Sequence, residues 1–170
     1  MVSLIVHAVL GVAVIAIIVR SNPAIFARPQ TGPRVSWVES CLYVLGIGSI
    51  FAGWYFNTSF VVEYTDGAVL SNPLWGDGSW AQYLSLMFVN PAASSAGVDY
   101  TIANVGILPL ITIVDGYRRG IKRPWLYFVC SLFTSFAFSW AFYLIAVERQ
   151  RRHQAAASPV PAPGATAATA

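Results

Sequence analysis

Charge is what this chain has least of. Asp, Glu, Lys and Arg together make up 10% of its 170 residues, while hydrophobic residues make up 56%. An average soluble domain carries about 25% charged residues, and a soluble fold of this size has too little interior to hide so much apolar surface. Cysteine is nearly absent. Cys41 and Cys130 form no C-x-x-C pair and have no histidine at ligand spacing, so neither a disulfide framework nor a metal site is expected, and both read as small buried hydrophobes. The motifs of common enzyme sites are missing as well: there is no G-x-x-x-x-G-K-[ST], H-E-x-x-H, G-x-S-x-G or G-x-G-x-x-G. The net charge of +3 does not point to nucleic acid, because the basic residues sit in short clusters beside apolar runs rather than along a stripe. No cofactor is implied.

What the chain does have is apolar runs of bilayer length, about 20 residues each. The first, Val2 to Val19, stops at Arg20-Ser21-Asn22-Pro23; it lacks a basic leader and a cleavage site, so it reads as an uncleaved anchor. The second runs from Trp37 to about Asn57, behind a Ser36-x-x-Glu39 capping box. The third runs from about Ala92 to Tyr117. The fourth runs from Trp125 to Val147, with Pro124 suited to a first helical turn. The expected fold is all-α: a polytopic membrane protein with four transmembrane helices in residues 1–154, followed by a disordered Ala/Pro-rich tail over 155–170.

Between the second and third spans lies a link from Thr58 to Asn90. Within it Phe60–Tyr64 and Val69-Leu70 flank Asp66-Gly67, a hairpin-like turn signal. Trp75, Trp80, Tyr83, Leu84 and Phe88 then predict a short helix at the outer interface, with a re-entrant dip as the alternative. Asn57-Thr58-Ser59 fits a glycosylation sequon.

Basic residues accumulate on the cytoplasmic side of short loops. Arg20, Arg28 and Arg34 lie between spans one and two, and Arg118, Arg119, Lys122 and Arg123 between spans three and four. With four spans this places both termini outside the cytoplasm, in a multi-pass protein of the cell membrane. Arg149, Arg151 and Arg152, which follow span four, run against that arrangement.

Few polar residues fall inside the spans. Asp99 is a carboxylate about two turns into span three, where a charge is costly and invites a functional reading as well as a packing one. Ser95, Asp99, Ala103 and Gly106 share a stripe, and Ser131, Ser135 and Ser139 repeat every four residues on span four. If the two helices run antiparallel across the bilayer, Asp99 meets Ser139, with Trp140 or Tyr143 nearby. Asp99, Asn104, Ser135 and Ser139 are therefore the candidate ligand-binding set, and Asp99 the candidate catalytic acid. Packing is the reading favoured for Asp99. Arg118, Arg119, Lys122 and Arg123 are candidates for gripping anionic headgroups, and Asp115 for a local ion pair with Arg118 or Arg119. His7 reads as a helix-contact residue. Gly46, Ser49 and Gly53 offer a close-packing face.

From Phe51 onward, Phe88-Val89-Asn90-Pro91 leading to Asp99, then Tyr117-Arg118-Arg119-Gly120-Ile121-Lys122-Arg123-Pro124-Trp125-Leu126-Tyr127 and an aromatic-rich last span, resemble a family of small integral membrane proteins known only as a domain of unknown function. The resemblance implies that Asn90, Asp99 and the basic loop belong to a shared pattern. That family looks three-helical, so the first span and the tail here are departures. It implies no activity.

The leading functional reading is a small accessory subunit or a binder of a lipid-like ligand, with membrane lipids, a protein partner or a second copy of the chain as partners. One alternative is a membrane-embedded enzyme acting on an isoprenoid-type substrate with Asp99 as general acid; another is a component of a proton-coupled transporter. Whether the chain is an enzyme stays open at this level.

Overall fold

The computed structural model describes residues 2–29, 32–66, 72 and 74–157. Among these residues every regular element is a helix. They are α1 (Val2–Ser21), α2 (Pro23–Phe26), α3 (Trp37–Tyr64), α4 (Trp80–Leu86), α5 (Pro91–Thr101), α6 (Leu108–Arg118), α7 (Leu126–Phe133) and α8 (Phe136–Ala157), with a π-helical turn, Ile102–Ile107, joining α5 to α6. Three helical stretches are long and apolar enough to cross a membrane: Leu4–Ser21, Trp37–Tyr64 and Pro91–Arg118.

Local chemistry sets where these helices begin. Ser36 accepts from the Glu39 N–H at 3.2 Å and starts α3. Asn90 accepts from the Ala93 N–H at 2.9 Å and Pro91 occupies the first turn of α5, which gives the Asn-Pro pair a capping role. The π-helical turn precedes Pro109. A proline there cannot donate to the Val105 carbonyl and its ring crowds that turn, so the coil widens, and the Leu108 N–H bonds back to the Ala103 carbonyl instead.

The expected fourth span is not a single helix. Residues 126–157 form two helices that double back at Thr134 (φ −123°, ψ −99°). The Ser139 hydroxyl donates to the Tyr127 carbonyl, and the Tyr127 ring lies 5.2 Å from that of Tyr143 and 5.5 Å from that of Phe142. A continuous helix would separate residues 127 and 143 by about 24 Å, so α7 and α8 are an antiparallel hairpin. Side chains make the turn without proline or glycine. Thr134 Oγ1 donates to the Cys130 carbonyl at 2.7 Å, closing α7, and Ser135 Oγ accepts from the Phe138 N–H at 3.0 Å, opening α8.

The hairpin fills the bundle. Gly11 of α1 lies against its tip, where a Cβ would meet the Phe133 carbonyl oxygen and Thr134 Cγ2 at 3.0 Å. Helix α8 runs antiparallel to α3: Ser135 Oγ is 2.8 Å from Ser49 Oγ, and a Cβ on Gly46 would lie 3.2 Å from that of Ala141. On the other side of the hairpin, between α1, the turn after α6 and α7–α8 themselves, sits a core of Val14, Ile18, Ile121, Leu126, Tyr127, Cys130, Phe142, Tyr143 and Ala146.

Because α8 returns, its end joins the two basic links. Glu39 is completely buried and pairs with Arg149 at 3.1 Å and with Arg152. Arg149 also donates to the carbonyls of Phe26 and Ala27 at 3.3 and 3.4 Å. Gln150 donates to the Arg119 carbonyl. Buried Asn22 bridges the links themselves, donating to the Lys122 carbonyl at 3.0 Å and accepting from the Lys122 N–H at 2.8 Å. The start of α1 and the end of α8 therefore lie at opposite ends of the bundle, in place of the same-side arrangement expected.

Other expectations shift as well. Helix α3 runs on to Tyr64, so Phe60–Tyr64 is helical and not one arm of a hairpin; Val69 and Leu70 lie outside the described residues. Asn57 of the sequon is within this helix. Residues 155–157 complete α8, and 158–170 of the expected tail lie outside the described residues.

Candidate functional site

The hairpin stops partway along the bundle, and the space beyond its tip is a cavity of about 360 Å³. That volume lies within the range of small-molecule sites, roughly 300–1,000 Å³. The floor is the turn itself, from Ser131 to Ala137. Leu4 and His7 of α1, Gly53, Trp54, Asn57 and Phe60 of α3, and Tyr100 of α5 form the walls. Gly78, Ser79, Trp80 and Tyr83 close it from the far end, so the short helix α4 acts as its cover.

Each lining group is held by its element. Ser79, buried, accepts from the Gln82 N–H at 3.3 Å and starts α4, while Gln82 accepts from the Gly78 N–H at 2.6 Å. This reciprocal cap fixes Trp80 and Tyr83 over the opening. The Tyr83 ring meets Phe60 edge-on at 5.5 Å. In the floor, Phe133 meets His7 at 5.8 Å and Phe136 meets Tyr100 at 6.0 Å, both edge-on. Gly53 leaves room: a Cβ there would touch nothing within 4 Å.

Behind the wall sits Asn104, buried in the π-helical turn. It donates to the Tyr100 hydroxyl at 3.1 Å and its Oδ1 is 2.8 Å from the Ser131 hydroxyl, which also reaches the Phe128 carbonyl at 2.7 Å. The single Ser131 proton is shared between those two acceptors. Asn104 thus ties α5 to α7 and orients two residues that line the cavity. The lining is mostly aromatic and aliphatic, with a few hydroxyls, one amide and one imidazole, which suits an apolar ligand that carries a small polar group.

The sequence-predicted site residues do not converge. Ser135 is in the floor and Asn104 is behind the wall. Ser139 is buried between α7 and α8 and spends its proton on Tyr127. Asp99 is exposed on α5, outside the cavity, and no hydrogen bond or ion pair among the described residues involves its carboxylate. The expected Asp99–Ser139 pair rested on α8 crossing the whole bundle. Since α8 turns back, Tyr143 meets Asp115 and not Asp99: its hydroxyl donates to Asp115 Oδ2 at 2.6 Å.

At the basic end, Asp115 also accepts from Arg119 Nε at 2.6 Å, the local ion pair expected there. That hydrogen bond raises the already high pKa of Arg119 further. Arg118, Arg119, Lys122 and Arg123 are all exposed. Gly120, at φ +73°, ends α6, and the Ile121 N–H bonds back to the Gly116 carbonyl at 2.8 Å. Sequence reasoning missed His7, Trp54, Asn57, Phe60, Trp80, Tyr83 and Tyr100 as cavity residues. They come from separate helices, and only the shortness of α7 brings them around one space. Among the described residues no group of three or more His, Cys, Asp or Glu side chains could hold a metal ion.

These features define an all-helical protein with three helices of membrane-crossing length and a hairpin folded between them. Residues 41–149 match the family described as Protein of unknown function DUF2834. The match spans more than half of the chain, and the protein belongs to that family. Comparison with curated proteins and with solved structures returns no match.

Proposed function

We propose that this protein is a multi-pass membrane protein that binds a lipid-like ligand in the cavity above the hairpin tip. The supporting observation is the cavity itself: about 360 Å³, walled by Trp54, Phe60, Trp80, Tyr83, Tyr100 and Phe136, and covered by a capped helix. No carboxylate lines it among the described residues. Asp99 faces away, so the arrangement favours binding over acid chemistry on an isoprenoid. The biochemical activity of the family is unknown, and nothing in the site requires a bond to be made or broken.

The basic end faces the cytoplasm in this reading. With α8 turned back, all ten Lys and Arg residues of the chain gather at one end of the bundle, as the charge bias of cytoplasmic loops requires. Glu63, Asp66 and Asp77 fall at the other end, beside the cavity cover. The amino terminus is then outside and the end of α8 inside, with α7 and α8 forming a re-entrant hairpin. Such a break inside a bilayer is tolerated where protein buries it. Helix α4, with Trp80 and Tyr83, lies at the outer interface, and the exposed apolar faces of α3 and α5 meet lipid.

The test is native mass spectrometry of the full chain released from nanodiscs, wild type against Gly53→Phe. The substitution fills the cavity without a backbone clash. Wild type should carry a lipid-sized adduct that Gly53→Phe loses at unchanged melting temperature. Equal retention by the variant would remove the cavity as the binding place.

A further inference from the structure

A second cavity, of about 280 Å³, lies at the basic end, lined by Phe26, Arg28, Arg34 and Arg149. Three guanidinium groups around one space repel one another, so their gathering there needs a counter-charge. Glu39 supplies only part of it. Its carboxylate already holds both Arg149 and Arg152, and no carboxylate among the described residues pairs with Arg28 or Arg34. Arg149 is itself buried and locked: its Nε bonds Glu39 and its Nη1 the carbonyls of Phe26 and Ala27, which leaves Nη2 for a further acceptor. Arg28 and Arg34 are exposed, both within the link between α2 and α3. A buried guanidinium with only Nη2 left to donate, beside two exposed ones that can each donate two parallel hydrogen bonds, suits an oxyanion with several acceptor oxygens.

We propose that Arg28, Arg34 and Arg149 form a binding site for a phosphate group, carried either on an anionic lipid headgroup or by free phosphate. It is distinct from the Arg118–Arg123 cluster, whose cations lie on an open turn. It also lies at the opposite end of the bundle from the aromatic cavity. Phe26 supplies an apolar wall beside the cations, as a glycerophosphate stem would need.

The experiment uses the full chain in phosphatidylcholine nanodiscs, with and without phosphatidic acid, and inorganic phosphate titrated into the discs that lack it. Arg28→Gln/Arg34→Gln is compared with Arg118→Gln/Arg123→Gln, which removes the same charge from the open turn. Both pairs are exposed, and melting in plain phosphatidylcholine verifies that each variant folds. The Arg28/Arg34 pair should lose about tenfold in retained phosphatidic acid or in phosphate-induced thermal shift, and the control pair should lose neither. A loss confined to phosphatidic acid assigns a lipid headgroup; a phosphate-induced shift abolished by the Arg28/Arg34 pair assigns free phosphate. Equal losses in the two pairs, or no loss in either, would overturn the proposal.

Discussion

The Tyr143 hydroxyl donates to Asp115 Oδ2 at 2.6 Å, joining α8 to the last turns of α6. Asp115 is one turn from the basic loop, so this contact requires α8 to run toward that loop. Together with the Glu39–Arg149 pair, it places the end of α8 beside the links at residues 22–36 and 119–124.

That relationship sets a topology test. In a background of Cys41→Ser and Cys130→Ala, single cysteines are introduced as Gly120→Cys, Ala156→Cys and Gly76→Cys and labelled with a membrane-impermeant maleimide. Positions 120 and 156 should label from the same side and position 76 from the other. Labelling of 156 together with 76 would restore a four-span protein and remove the re-entrant hairpin.

Glu39→Gln should be the most destabilising single change at the basic end. It strands Arg149 and Arg152, of which Arg149 is buried, and breaking a buried ion pair from one side costs about 3–5 kcal/mol. Thermal unfolding in detergent measures this. A shift no larger than that of a surface substitution such as Glu148→Gln would mean that the pair is solvated in the protein.

Ser131→Ala removes the donor that reaches Asn104 Oδ1 and leaves a buried acceptor unmatched, at a cost of about 1–3 kcal/mol. Lipid retention should fall with it, because Tyr100 loses the anchored amide that orients it. Loss of stability with full retention would separate Asn104 from the cavity.

Tyr127→Phe should leave stability unchanged or raise it. The Tyr127 hydroxyl is buried without a hydrogen-bond partner among the described residues, and removing an unsatisfied buried polar atom relieves a penalty of about 1–3 kcal/mol. A clear loss of melting temperature would reveal a partner for that hydroxyl.

Asp99→Asn should not lower stability, because the carboxylate has no side-chain partner to lose and a charge on the lipid-facing side of a span is itself costly. Lipid retention should be unaffected too. A loss of several degrees would mean that a second chain packs on the outer face of α5 and uses the carboxylate.

Much of this is legible in the order of the residues. Helix class, the three long apolar helices, the Ser36 cap and the Asp115–Arg119 pair depend on neighbours within a few residues, and near-neighbour chemistry is written directly in the order of the chain. The amino-acid sequence by itself also determined that basic residues cluster after the first and third apolar runs and not after the second, and that Arg149, Arg151 and Arg152 run against placing both termini outside the cytoplasm. Only the tertiary structure decided that residues 126–157 fold back. A run of 23 mostly apolar residues from Trp125 to Val147 has the same composition as one helix or as two. The choice depends on distant partners: Gly11 leaving room for the tip, Ser49 bonding Ser135, and Glu39 drawing Arg149 to the basic end. The cavity follows from that choice, because a hairpin that ends partway leaves unfilled the space a full crossing would occupy.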